Sequence, residues 1–164
     1  MSPVHAHLLL NHVPVIGTLI ALGLLAFATV RGDDRIGRVS LGMLALLAAS
    51  AVAAYLTGEP AEEAVEHLAA VPEALIERHE DAALLATIAL GVLGALSVAG
   101  LVFFRRRPLS RGVMLGLVLV ALVPAGAMAY TANLGGQIRH SEIRAGAAVD
   151  PGTTAGEARG ADDD

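Results

Sequence analysis

The chain of 164 residues has no cysteine, no tryptophan and no lysine, and only five aromatic side chains, two Tyr and three Phe. Without cysteine there is no disulfide framework, no thiolate-held iron–sulfur cluster or zinc ribbon, and no thiol nucleophile. The redox compartment is left unmarked by the same absence. Charge is scarce as well, at 16% of residues against 55% hydrophobic, far from the composition of an ordinary soluble domain. The net charge of −5 and the lack of a basic face exclude a nucleic-acid binder. So high an apolar content excludes disorder for most of the chain. A small integral membrane protein is the class that remains.

Arg, Asp and Glu are missing altogether from residues 1–30, 39–58, 82–104 and 112–138. Each stretch is long enough to cross a hydrocarbon core, which takes roughly 20 helical residues. This predicts an all-α, four-span helix bundle with spans near 6–30, 39–57, 79–104 and 112–134. The interiors carry no ionisable group, which argues against a proton or ion path. Their hydroxyls, at Thr18, Ser50, Thr87 and Ser97, can bond their own helix backbone. Gly91, Gly94, Gly112 and Gly116 would let helices approach closely. Pro14 and Pro124 are expected to kink spans one and four.

Two short turns, 31–38 and 105–111, hold seven of the eleven arginines and two of the sixteen acids. The positive-inside rule puts them in the cytoplasm and both termini in the periplasm of a bacterial inner membrane. Residues 1–144 read as the membrane domain and 145–164 as a disordered tail rich in Ala, Gly, Asp and Thr. Between spans two and three, Glu59, Glu62, Glu63 and Glu66 share one helical face, and Ala61, Ala64, Val65 and Leu68 the other. This predicts a short amphipathic helix at the outer interface, in which Glu63 and His67 could pair. Pro72 then opens a helix that runs straight into span three.

All six histidines fall on the outer side: His5, His7, His12, His67, His79 and His140. Helical spacing puts His5 and His12 on one face of span one, and His7 and Asn11 on another. His79 shares a face with Leu75, Ile76, Ala83 and Ala86, so it is expected to point into the bundle. Asn133, Gln137, His140 and Arg144 would line one side of span four if helix continues there. Gly135-Gly136 allows either a break or the close approach of a flat group. Three spans therefore bring an imidazole to one membrane depth, and His12 and His79 are expected to face inward.

Several segments resemble a bacterial inner-membrane family known only as domain of unknown function 2231. They are His7-Leu-Leu-Leu-Asn11-His12-Val-Pro14, Gly58-Glu59-Pro60-x-x-Glu63, Glu77-Arg-His79-Glu80 and Gly135-Gly136-Gln-Ile-Arg-His140-x-Glu-Ile-Arg144. The resemblance covers about residues 4–144. It implies four spans and, because some members are fused to or encoded beside Rieske and other redox modules, an electron-transfer setting. It lends no established activity. Members often carry His-Pro before the first span, where this chain has His5-Ala6-His7.

Three functions stay open on these residues. The first is a redox subunit holding haem b on His12 and His79, with His7 and His140 as a second pair or as support. It would serve a quinol or a periplasmic redox protein. The second is an outer-face copper or zinc site using His12, His79 and His140 with Glu59, Glu63 and Glu80. The third is a cofactor-free structural subunit that docks a partner within a homo- or hetero-oligomer. A ferritin-type di-iron centre is disfavoured because Glu-x-x-His does not occur. Nor is there a nucleophile elbow or a phosphate loop.

Overall fold

A computed structural model describes residues 2–63 and 72–144. The predicted pair Glu63–His67 and the tail from 145 lie outside or partly outside these residues. Six α-helices follow one another: α1 (Pro3–Leu10), α2 (His12–Arg31), α3 (Asp34–Leu56), α4 (Gly58–Glu63), α5 (Glu73–Phe103) and α6 (Arg111–Arg139). A 3-10 turn, Ser141–Ile143, closes the described chain, and no strand occurs among the described residues.

Four stretches are long and apolar enough to cross a membrane: Val4–Arg31, Asp34–Glu63, Glu73–Phe103 and Arg111–Ile138. The chain is a multi-pass membrane protein built as an all-α four-helix bundle. About a third or less of each apolar window is buried inside the protein. Leu46, Leu85, Val30 and Phe103 are among the large apolar side chains that stand outward. Such a surface suits hydrocarbon as solvent and not water.

One stripe per span makes the core. On the first span it runs His7, Asn11, Pro14, Thr18, Ala21, Leu25, Ala28, in alternating steps of four and three that keep one helical face. On α5 it runs Leu75, His79, Ala82, Ala86, Leu90, Leu93, Ser97. Leu25, Leu41, Leu44, Leu90, Leu93 and Met114 are fully buried where α2, α3, α5 and α6 meet. Gly94 lies where α3 and α5 press closest: a Cβ there would sit 2.4 Å from the Ala48 methyl. Gly91 and Gly116, by contrast, meet nothing within 4 Å, so they are not contact glycines.

Helix ends extend past the charge-free stretches. α3 begins at Asp34, five residues before the expected boundary, because the Asp33 carboxylate caps it by accepting from the N–H groups of Arg35 and Ile36. Absence of charge marks the part in lipid, not the helix itself. α2 ends on Gly32 at φ 68°, where the Asp33 N–H reaches back to the Ala28 carbonyl. α5 starts at Glu73 and continues unbroken into span three, as expected from Pro72. Pro14 coincides with a one-residue interruption at Asn11, whose backbone stays right-handed helical (φ −63°, ψ −30°), and Pro124 sits inside an unbroken α6.

Arginine and aspartate lock the end of the bundle that carries the two arginine turns. Asp34 accepts from Arg38 Nε at 2.8 Å and from the Leu109 backbone N–H at 2.7 Å. Arg38 Nη2 in turn donates to the carbonyls of Phe104 and Arg107, both at 2.8 Å. The α5–α6 connection is thus held by one helix turn of α3. Arg38→Ala is expected to free this connection. Charged hydrogen bonds contribute roughly 1.5–3 kcal/mol when sheltered, but these side chains are about a third exposed, so about 1 kcal/mol is expected. Amide hydrogen exchange at residues 104–110 is the measurement, and unchanged protection there would refute the clamp.

Candidate functional site

The core layer at the end opposite the arginine turns is polar. Here the four stripes end in His7 from α1, Thr57 and Gly58 from the α3–α4 junction, His79 from α5, and Thr131 and Gly135 from α6.

His7 is half-buried. Its Nδ1 lies 3.1 Å from the Ala54 carbonyl and 3.3 Å from Thr57 Oγ1. Thr57 Oγ1 itself donates to the Ala54 carbonyl at 2.8 Å. Only a protonated Nδ1 satisfies that pair of oxygens, so the lone pair of His7 resides on Nε2. His79 repeats the arrangement from the opposite wall, with Nδ1 3.1 Å from the Thr131 carbonyl. Its ring also lies on Gly135, where a Cβ would come within 3.1 Å of Cε1. Gly135 is therefore the close approach of a flat group, and α6 runs through it to Arg139. On the other side the His7 ring edge lies over Gly58, 3.7 Å from the Cβ position.

Both imidazoles turn Nδ1 outward to a backbone carbonyl, and neither Nε2 has a hydrogen-bond partner among the described residues. One turn deeper on the His7 stripe, the Asn11 side-chain oxygen is buried without a partner. Thr18, two turns further in, has a buried hydroxyl in the same condition, unlike Ser40, Ser50 and Ser97, which bond their own helix carbonyls. Buried orphan acceptors are rare enough in folded proteins to need a reason.

The other sequence candidates lie elsewhere. His12 is exposed, not inward: Pro14 and Asn11 take the core face, and the His12 ring folds back to the Leu8 carbonyl at 2.8 Å. His5 is exposed beside Ser2. His140 does not continue the α6 face. It ends the helix in an extended conformation and pairs with Glu142 at 2.9 Å. That contact and the local backbone hydrogen bond, the larger cause, lower the Glu142 carboxyl from its ordinary value. Gln137 and Asn133 bond each other at 2.7 Å. Glu59, Glu63 and Glu80 are exposed, and no group of three His, Asp or Glu able to hold a metal occurs among the described residues. The six-ligand set expected at the outer face is therefore not assembled there, and the inward pair is His7 with His79.

Sequence reasoning placed His7 and Asn11 on a common face but gave the inward role to His12. The step pattern from Pro14 through Ala28 carried the answer, because extending it backward lands on Asn11 and His7. The carbonyl acceptors at Ala54 and Thr131 had no sequence signal, since every residue has a carbonyl. Comparison with family models, curated proteins and solved structures finds no match.

Proposed function

We propose that this chain is a redox subunit of a bacterial inner membrane, holding one copper ion at its periplasmic end between Nε2 of His7 and Nε2 of His79. The single observation behind this reading is the paired ring orientation. A ligating imidazole characteristically donates its other ring N–H to a carbonyl or carboxylate, which fixes the tautomer and aims the lone pair. His7 and His79 both do so from opposite walls of the bundle. Neutral imidazole suits copper, zinc and iron. Zinc asks for three or four protein ligands, whereas cuprous copper accepts two; Asn11 lies one turn deeper on the His7 stripe, its side-chain oxygen buried without a partner. A haem needs a slot for its macrocycle as well as the two imidazoles. The clefts bordered by Arg78 and Gln137 and by Val92 and Val123 touch neither ring.

The arginine turns at 31–38 and 105–111 support a cytoplasmic inner end and place the histidine layer outside. Electrons would then be exchanged with a quinol or a periplasmic redox protein, not carried across the bilayer. The motif resemblance to the domain of unknown function 2231 family belongs to the same proposal and favours a redox setting.

The test is anaerobic loading of detergent-purified, untagged protein with cuprous ion, followed by metal analysis and spectra before and after oxidation. One copper per chain, with a cupric paramagnetic signal on oxidation, is expected. A Soret band from protein made with haem supplied would overturn copper in favour of haem. Retention of neither would leave the docking-subunit reading in its place.

A further inference from the structure

The net charge of the chain is −5, yet one end of the bundle is strongly positive. Residues 31–38 and 105–111 hold seven arginines against two aspartates. Both aspartates are taken up by the fold. Asp33 caps α3, and Asp34 accepts from Arg38 and from the Leu109 N–H. Arg31, Arg35, Arg105, Arg106, Arg107 and Arg111 are exposed. None of these six has an acidic partner among the described residues.

Two bridges make the two turns one surface. Arg38, on α3, donates to the carbonyls of Phe104 and Arg107 and holds the second turn against the first. Arg111, at the start of α6, returns the contact. Its guanidinium lies across Gly32, where a Cβ would come within 2.7 Å of Nε, and its Nη2 reaches the Arg31 carbonyl at 3.4 Å. The second turn is also wound on itself, with the Arg107 N–H donating to the Phe104 carbonyl at 3.0 Å. The backbone carrying Arg105, Arg106 and Arg107 is therefore set before any partner arrives, which lowers the ordering cost of binding. Bonds to carbonyls orient Arg38 and Arg111 and cancel no charge.

Large apolar side chains stand outward immediately behind the arginines. Val30 is 77% exposed, Phe103 74% and Val39 60%. They mark where the hydrocarbon-facing surface ends on α2, α5 and α3. Arg31 and Arg105 lie one and two residues beyond that line, and Arg35 lies one turn before Val39. Arg31 keeps its cation over the Phe27 ring, 5.9 Å from the centroid. The arginine platform thus sits at headgroup height. The anions present at that height on every side are lipid phosphates, whose oxygens fit the guanidinium fork.

We propose that this platform binds the headgroups of anionic phospholipids. Arg105 and Arg106 contact the phosphate, and Arg38 is a positioning residue that holds their turn in place. The platform lies at the opposite end of the bundle from the imidazole layer and does not depend on it.

Native mass spectrometry of the detergent-purified full chain, titrated with palmitoyl-oleoyl phosphatidylglycerol or phosphatidylcholine, reads the outcome. Wild type is expected to hold phosphatidylglycerol more tightly. One arginine beside an anionic surface is worth about fivefold in binding, so Arg105→Gln combined with Arg106→Gln should lower phosphatidylglycerol retention about 25-fold and leave phosphatidylcholine unchanged. Arg38→Lys keeps the charge but has no planar fork to bridge two carbonyls, so a smaller loss of about threefold is expected. Arg78→Gln, at the other end of the bundle, should change nothing. Far-ultraviolet circular dichroism equal to wild type shows that each variant is folded. Wild-type retention in the double variant would overturn the proposal. So would an equal loss from Arg78→Gln, which marks charge attraction without a site. Release of the lipid by millimolar inorganic phosphate would overturn it in favour of a free-anion site. Wild-type retention in Arg38→Lys would overturn the positioning role. An acidic protein that occupies wild type in place of lipid, and is lost from the double variant, would replace the lipid as occupant.

Discussion

His79→Ala is expected to abolish copper binding at the proposed site, and His7→Ala to do the same, whereas His12→Ala and His140→Ala are expected to leave it at one ion per chain. This contrast is the largest functional effect expected of any substitution here. Outer partners of a ligand already contribute 10–100-fold to metal affinity, so losing one of two imidazoles should exceed about 100-fold. His12 and His140 lie at the same end of the bundle as the proposed site, but both are exposed and bonded elsewhere. Copper competition against a chromophoric chelator measures all four variants. Equal losses from His12→Ala and His79→Ala would refute the assignment, because a loss spread over exposed histidines marks nonspecific surface binding. A graded pair of variants tests geometry apart from ligation. Thr57→Val removes one oxygen from His7 Nδ1 but leaves the Ala54 carbonyl, so a loss of about tenfold or less is expected. Gly135→Ala brings a methyl to 3.1 Å from His79 Cε1, which turns the ring without removing it, and a loss in the same range should follow.

The fold was legible because lipid imposes a single strong demand: every backbone polar group must be satisfied within the span, so long uncharged stretches become helices. Four of them meant four spans, and the described residues hold four helices long and apolar enough to cross a membrane. Helix ends were less legible. Asp34 and Arg38 belong to α3 and also to the clamp at the arginine-turn end, and charge alone marked them as turn. Residues past Gly135-Gly136 were equally ambiguous, since the same glycines suit a break or a contact. His79 decided it by seating its ring there. The site was half legible. His79 lies on a stripe of Leu75, Ala82 and Ala86 and was placed correctly inward. His12 was not, because it lies off the stripe of Asn11, Pro14 and Thr18. Pro14 itself is buried, and a residue two positions away on a helix points to the opposite side.

Gly94→Ala should destabilise the bundle by about 1–3 kcal/mol, while Gly91→Ala, one turn earlier on the same helix, should be neutral or stabilising by up to about 1 kcal/mol. Sequence gives no ground for separating the two, which are three residues apart in one apolar helix. Packing does. A Cβ on Gly94 would lie 2.4 Å from the Ala48 methyl, 3.6 Å from the Leu44 carbonyl oxygen and 3.7 Å from Ala45 Cα. These neighbours are backbone or the first carbon beyond it, so no rotamer change can relieve the contact. α3 and α5 must separate, and theirs is the most extensive helix contact in the bundle. Gly17 and Gly37 are also crowded, but by the tips of Leu47 and Met114, which can swing aside. Their alanine variants should therefore cost less than Gly94→Ala. Gly91 faces open space, and there alanine simply supplies better helix propensity. Reversible unfolding of the four variants in mixed micelles would order them. If Gly91→Ala and Gly94→Ala cost the same, the close approach of α3 and α5 at Ala48 is wrong. Loss of metal binding in Gly94→Ala is not expected at comparable scale: His79 lies fifteen residues away, about 22 Å along α5, and is held there by Thr131 and Gly135 of α6 and not by α3. Stability and ligation should thus respond to different glycines, Gly94 for the first and Gly135 for the second.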